Sequence, residues 1–232
     1  MKYVVICFLA AISFSSCNQM HGSGNIIREK RETGDFKGLS VGGAFEVEVK
    51  NGPTNVEVEA DDNIMKMIET DVRNGVLRIR AKDGTNFQDA TFRVFVSTPQ
   101  LQSVKSSGAS NVKLKDLVKS DESLEFDVSG AAHIAGAVDA PEVNAEISGA
   151  GKLELSGRTR DYVARVSGSG ELKSSELRSE NTDVHVSGAG NARVHASVLL
   201  KGDASGAGNI IYNGGARVEQ HTSGAGSVKK ED

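Results

Sequence analysis

The chain has 232 residues, with 27 Lys and Arg against 31 Asp and Glu and a formal net charge of −4. That balance removes the electrostatic reason to expect nucleic acid or an anionic lipid surface as a partner. With 26 Gly, 3 Pro, 8 Phe, 3 Tyr and no Trp, the composition speaks against an aromatic-lined sugar or cofactor cleft, and its glycine content is too low for collagen.

The chain opens on Lys2, an almost wholly apolar run from Tyr3 to Ile12, and the small residues Ser15 and Ser16 before Cys17. An apolar run of about ten residues is too short to span a bilayer, which takes roughly 20. Residues 1–16 are therefore expected to be a cleaved signal peptide. Phe14-Ser15-Ser16-Cys17 resembles a relaxed bacterial lipobox, which implies a lipidated Cys17 as the mature N-terminus and attachment to a membrane through that lipid. The alternative is an ordinary signal peptide with an incidental cysteine. Because Cys7 lies inside the leader, a mature monomer would hold no disulfide, even in an oxidising envelope compartment. Residues 17–35 are expected to form the lipidated cysteine and a polar tether, with Ile26 and Ile27 joining the first strand.

Residues 36–106 read as an N-terminal β region. FEVEVKNG, NVEVEA, GVLRIRAKDG and ATFRVFVSTP alternate apolar and polar positions between Asn-Gly, Asp-Gly and Pro punctuation. DDNIMKMIETDV predicts one short helix, capped by Asp61 or Asp62, with Ile64, Met67, Ile68 and Val72 on its apolar face. GGAFEVEV at 42–49 is a degenerate copy of a phrase that recurs later. It implies an irregular continuation of one stack.

From residue 107 to 232 that phrase governs the chain. SGAS at Ser107, SGAA at Ser129, SGAG at Ser148, SGSG at Ser167 and SGAG at Ser187, Ser205 and Ser223 follow at intervals of 22, 19, 19, 20, 18 and 18. Such a period marks a solenoid, whose repeats bury their apolar faces only by stacking. Positions one, three and five before each serine are mostly apolar, for example Val128, Phe126 and Leu124, or Val166, Ala164 and Tyr162. The positions between them are mostly polar, which is the signature of strands with one buried face. Counting by twos places both glycines of each phrase inward, at the corners of successive coils. The structural turns are thus Ser107, Gly108, Ser129, Gly130, Ser148, Gly149, Gly151, Ser167, Gly168, Gly170, Ser187, Gly188, Gly190, Ser205, Gly206, Gly208, Ser223, Gly224 and Gly226. The fold expected is all-β, a right-handed parallel β-helix of coils near 19 residues, since the hexapeptide rhythm of the left-handed type is absent.

Chemistry is sparse. The five histidines, 21, 133, 185, 195 and 221, form no metal-binding spacing, and no catalytic serine, Walker or dinucleotide motif occurs. Neither a metal nor a cofactor is expected. The SGAG loops precede strands where a phosphate cradle needs a helix N-terminus. Seven equivalent serines argue for a repeated scaffold role, because a nucleophile needs one particular base beside it. An outward column two residues before each serine reads Asp127, Glu146, Arg165, His185, Asp203 and His221. Asp127 with Glu146 is the pair a glycan-cleaving β-helix would use, and His185, Asp203 and His221 the set a metal would take. A solvated face is the competing reading of both.

GSGNIIREKRETGDFKGLSVGGAFEVEV at 22–49, VEVEADDNIMKMIETDVRNGVLRI at 56–79 and the SGAG repeats together resemble the Bacteroidetes head GIN domain family, described as auto-transporter adhesins. The resemblance spans the mature chain and implies a β-helix-like envelope protein, lipid-anchored at the outer membrane, without naming a ligand or a catalytic motif. Two functions follow from these readings. The first is a non-catalytic surface or periplasm-facing adhesin or binding module with a glycan or protein ligand. The alternative is a carbohydrate-active β-helix enzyme, which would cluster Asp, Glu, Lys or Arg beside aromatic platforms in a groove.

Overall fold

The computed structural model describes residues 18–82 and 85–231, so Cys17 and the leader lie outside the described residues. The chain forms a parallel β-solenoid of about seven turns with coils of about 19 residues and an irregular N-terminal region. Each coil is named below by its corner serine. Strands His133–Gly149, Lys152–Gly168 and Glu171–Gly188 lie in parallel register, so that Ser148, Ser167 and Ser187 stack directly on one another. Ser205 and Ser223 continue the column.

The period-two alternation decides the core. Leu124, Phe126 and Val128, then Val143, Ala145 and Ile147, then Tyr162, Ala164 and Val166, then Thr182, Val184 and Val186 all point inward and are buried. Val112, Leu114, Leu153, Leu155, Ala192, Val194 and Ile210 do the same on the next side of the coil. Each fully buried aliphatic side chain contributes about 1.5–3 kcal/mol, so every added coil extends the core without a new one being built. The few inward hydroxyls bond to each other, as Tyr162 and Ser174 do at 2.9 Å and Ser179 and Thr182 at 2.7 Å. That removes the cost of burying them unpaired.

The corners correct one expectation. The second glycine of the phrase is inward and buried at Gly151, Gly170, Gly190 and Gly208, but the first is exposed in every coil. Gly149, Gly168 and Gly188 have φ of 93°, 96° and 94°, a left-handed conformation that only glycine adopts without strain. A Cβ on Gly168 would also stand 2.7 Å from the Gly149 carbonyl oxygen of the coil below. The chain turns at this residue and belongs to no strand face there, so counting by twos does not assign it a side.

The N-terminal half belongs to the same stack, but out of chain order. Gly38–Gly43 pairs with Ser103–Gly108 on one edge and with the later strand Val76–Ala81 on the other. Glu46–Asn51 likewise lies between Asn111–Leu114 and Phe92–Thr98. Gly43 stacks on Gly108 and Val47 on Val112, so the 42–49 phrase is a true coil. Beyond them the parallel order ends. Asn55–Asp61 and Ile68–Arg73 pair antiparallel with Phe92–Thr98 and Val76–Ala81, and Ile26–Arg31 pairs antiparallel with Asn55–Asp61. This layer seals the end of the core and covers edges that would otherwise pair with other chains.

Two further expectations change in this cap. The helix of DDNIMKMIETDV shrinks to one 3-10 turn, Met65–Met67, followed by the strand Ile68–Arg73. Asn74 and Gly75, with φ of 50° and 74°, make the tight turn that joins this strand to Val76–Ala81, and hairpin pairing overrides the short helical stripe. Neither Asp61 nor Asp62 caps a helix with its side chain. The carboxylate of Asp61 is buried and accepts from the amides of Gly24 at 2.7 Å and Thr91 at 2.9 Å. The polar stretch expected as a tether is also largely folded. Asn18–His21 pairs with Thr85–Gln88 and Ile26–Arg31 closes the cap. Its lack of period follows from position, because an end strand has little buried face to impose one.

Candidate functional surfaces

Three of the seven corner serines bond into the scaffold. The hydroxyls of Ser107, Ser167 and Ser205 donate to the carbonyl oxygens of Val41, Ile147 and Val186, each in the coil below, at 3.2, 3.3 and 3.5 Å. The same geometry repeated along the stack ties neighbouring corners together. It provides no base beside any one serine.

Strand pairing brings the outward column together in the expected order. Lys105, Asp127, Glu146, Arg165, His185, Asp203 and His221 occupy successive rungs of one face. Lys105 approaches Asp127 at 3.8 Å. His185 lies between two carboxylates, with Nε2 at 2.9 Å from Asp183 and Nδ1 at 3.2 Å from Asp203. His221 stacks one rung beyond Asp203. Among the described residues no three His, Cys, Asp or Glu side chains converge as a metal would require. The arrangement is a ladder of solvated charges, worth little individually.

A second ladder runs along the neighbouring side. Glu154 contacts Lys152, His133 at 3.7 Å and Lys173 at 3.9 Å, while Lys173 and Arg193 both reach Glu171. The hydrogen bond from Lys152 holds the Glu154 carboxyl below its usual range, and burial pushes the His133 imidazole down.

Among the long strands the stack loses its regularity at the second corner of the coils. In the Ser167 coil the register slips by one residue between Glu154 and Ser156, so Ser174 and Ser175 together face Leu155. Ser174 turns inward and the inserted position carries Ser175 and Glu176 outward. One coil further on the chain is shorter, with residues 175–180 spanned by only 195–198. A protruding coil beside a recessed one makes a step, and the step is a trough. Bulges of this kind commonly mark sites where a surface is re-aimed.

Three adjoining depressions of about 380, 740 and 550 Å³ make up the trough, the first two sharing Ser156, Ser175 and Glu176 and the last two Arg178 and His195. It crosses five coils, from Ala135 and Asp139 at one end to Asn213 at the other. Gly157 and Gly214 form tight points at this corner, where a Cβ would come within 2.0 Å of the carbonyl oxygens of Val138 and Ala196. His195 Nδ1 lies 3.2 Å from both the amide nitrogen and the carbonyl oxygen of Ser179, which fixes the ring against the protruding coil. The Asn213 Oδ1 atom is buried without a hydrogen-bond partner. Arg158 grips Asp139 at 2.6 and 2.9 Å and holds its carboxyl below the usual range, and Arg160 is paired with Asp161 at 2.7 Å. Glu154 is taken by its lysines. Glu176, Arg178 and Glu180 are left as exposed charges on alternate positions of the protruding coil, outside the ion pairs among the described residues.

The sequence reading did not select these trough residues. Its one signal was the interval, which lengthens to 20 after Ser167 and shortens to 18 after Ser187. Such changes in coil perimeter mark the step but do not say at which corner it falls.

Comparison with known proteins agrees with this architecture. A putative adhesin from Bacteroides fragilis NCTC 9343 superposes with a TM-score of 0.86 at 18% identity, over 91% of this chain and 100% of its own. A putative adhesin from Parabacteroides distasonis ATCC 8503 gives 0.76 at 26% identity over 92% and 100%. A protein from the same organism described as a putative lipid binding protein gives 0.77 at 17% over 93% and 100%. No curated protein matches the chain. Residues 35–216 match the family described as "Putative auto-transporter adhesin, head GIN domain", a span from the cap strands at Gly38 onward to the coil before the last, and the chain belongs to that family.

Proposed function

We propose that this chain is a non-catalytic lipoprotein of the cell envelope that works as an adhesin-type binding module. The observation that carries the reading is the use of the corner serines. The hydroxyls of Ser107, Ser167 and Ser205 bond to carbonyls of the adjacent coil, and Ser129 to Ser223 stack in one column of equivalent corners, so the most repeated hydroxyl of the sequence serves the stack and no one serine is set apart as a nucleophile. Asp127 and Glu146 stand on adjacent rungs of an open strand face, with Lys105 relieving the first. The family description supports an envelope location.

Lipidation at Cys17 fits the cap. The first strand begins at Asn18 and is bonded to the body through the Gly22 amide and the Gln88 carbonyl at 3.1 Å. An acyl chain on Cys17 would therefore hold the capped end of the solenoid close to the outer membrane, with little slack. Among the described residues no helix is long and apolar enough to cross a membrane, so attachment by lipid is the simplest route.

The test has two arms. Cys17→Ser should abolish incorporation of labelled lipid and release the protein from membrane fractions, and persistent labelling would overturn the anchor. The mature protein should bind surfaces coated with glycan or host matrix without turning over any member of a broad polysaccharide panel. Reproducible turnover lost in Asp127→Asn or Glu146→Gln would overturn the non-catalytic reading.

A further inference from the structure

The trough at the second corner lies where the ladder of the long strands is interrupted, and its lining is chemically specific. Hydroxyls from Ser156 and Ser175, the Asn213 side chain and the His195 imidazole line it beside the exposed Glu176 and Arg178. The strands beneath are paired on both edges except at residues 175–178, which have a ladder partner in the preceding coil only, a stretch shorter than the usual strand of about five or six residues and so a poor template for strand addition. The lining offers too little apolar surface for acyl chains. Its unpaired charges, two carboxylates against one guanidinium, disfavour a polyanion.

What remains is a ligand rich in hydroxyls, uncharged, and extended along the solenoid axis. Five coils cross four inter-coil steps of ~4.8 Å each, a length that matches about four sugar residues laid end to end. We infer that the trough is a binding site for a neutral linear glycan, running across the coils, with Glu176 and Glu180 accepting from sugar hydroxyls, Arg178 donating to them and the His195 imidazole hydrogen-bonded to a further one. The inference rests on the adhesin-type reading above and assigns it a site and a ligand class. Carboxylates and guanidinium groups make the stronger, charge-assisted hydrogen bonds to such hydroxyls, which offsets the absence of aromatic stacking.

The experiment is calorimetric titration of the full mature chain with neutral gluco-, xylo-, manno- and chito-oligosaccharides from disaccharide to octasaccharide. For at least one series, affinity should rise with length to about four sugars and then level off, as the trough fills. Glu176→Gln and Arg178→Ala should each weaken binding roughly tenfold or more, with the melting temperature unchanged. Arg165→Ala, in the outward column, should leave it unaltered. Binding should move the amide resonances of Ser156, Gly157 and Ser175 and leave that of Asp203 in place. Absence of binding by the wild type, a preference for polyuronates or peptides, or indifference to both trough substitutions would overturn the site. Adhesion to coated surfaces separates the two proposals. If it persists in Arg178→Ala while sugar titrations are flat, the adhesin reading stands and the trough assignment falls; if the wild type adheres to nothing, both fall.

Discussion

Gly151 lies where a methyl group would stand 2.5 Å from Cγ1 of Val128, in the coil below. The same relation links Gly170 to Ile147, Gly190 to Val166 and Gly208 to Val186. The second glycine of the phrase is therefore a packing residue: it makes room for the branched side chain at the end of the preceding strand. One coil earlier the residue stacked beneath Val128 is Ser106, and there the phrase carries Ala132. In that coil the smaller neighbour below goes with the larger residue above.

Gly151→Ala should accordingly cost about 1–3 kcal/mol by overpacking. Val128→Ala alone should also destabilise, through the lost methyl groups. The double variant should lose less than the sum by more than about 0.5 kcal/mol, since each change relieves the other. Urea unfolding of the four proteins checks it. Strict additivity would show that Gly151 is needed for its backbone alone.

Facing is tested at adjacent residues. Ala164 is fully buried between Ala145 and Val184, while Val163 is half-buried on the outer face between Asn144 and Asp183. Ala164→Asp places a carboxylate in a dry stack, so it should cost several kcal/mol or force protonation of the new group. Val163→Asp should move the melting temperature little, with a small repulsion from Asp183 that added salt screens. The reverse order in a thermal melt would mean that inside and outside are exchanged.

Tyr162 supplies an alkaline limit to stability. Burial pushes its phenol far above the usual range, and the hydrogen bond with Ser174 only partly opposes this. In the unfolded chain the phenol ionises near pH 10. The stabilisation is thus complete below about pH 10 and is lost as pH rises toward the folded value, at about 1.4 kcal/mol per pH unit. Stability curves from pH 8 to 11 should therefore fall less steeply for Tyr162→Phe than for the wild type. Identical slopes would show that the phenol is not the group responsible.

The Asp61 carboxylate joins the N-terminal strands to the cap. Asp61→Ala leaves the amides of Gly24 and Thr91 without their buried carboxylate acceptor, an expected loss of about 1–3 kcal/mol. Hydrogen exchange should accelerate first across residues 18–31, with the repeats beyond Ser129 keeping their protection, because coils contact only their neighbours. Uniform acceleration along the whole stack would contradict a local clasp.

The legible parts of this protein were those set by short-range periodicity. Val128, Ala164 and Val186 could be assigned to the core from spacing alone, because a strand with one buried face repeats every second residue and a solenoid repeats that strand at nearly constant intervals. Even the coil at 42–49 could be read from its glycines and its alternation. The first glycine of each corner could not be placed the same way, because a left-handed residue between two strands has no place on either face. The cap was illegible for a different reason. Whether Gly38–Gly43 lies beside Val76–Ala81 or Ser103–Gly108, or between them, depends on hydrogen bonds between distant strands whose sequences look alike. The trough likewise arises from two differences of perimeter brought side by side, at Ser175 and at His195, twenty residues apart in the chain and adjacent only in the stack. Local alternation therefore determined what is buried in each coil, while pairing between coils decided their order, the sealed end and the step at residues 175–180.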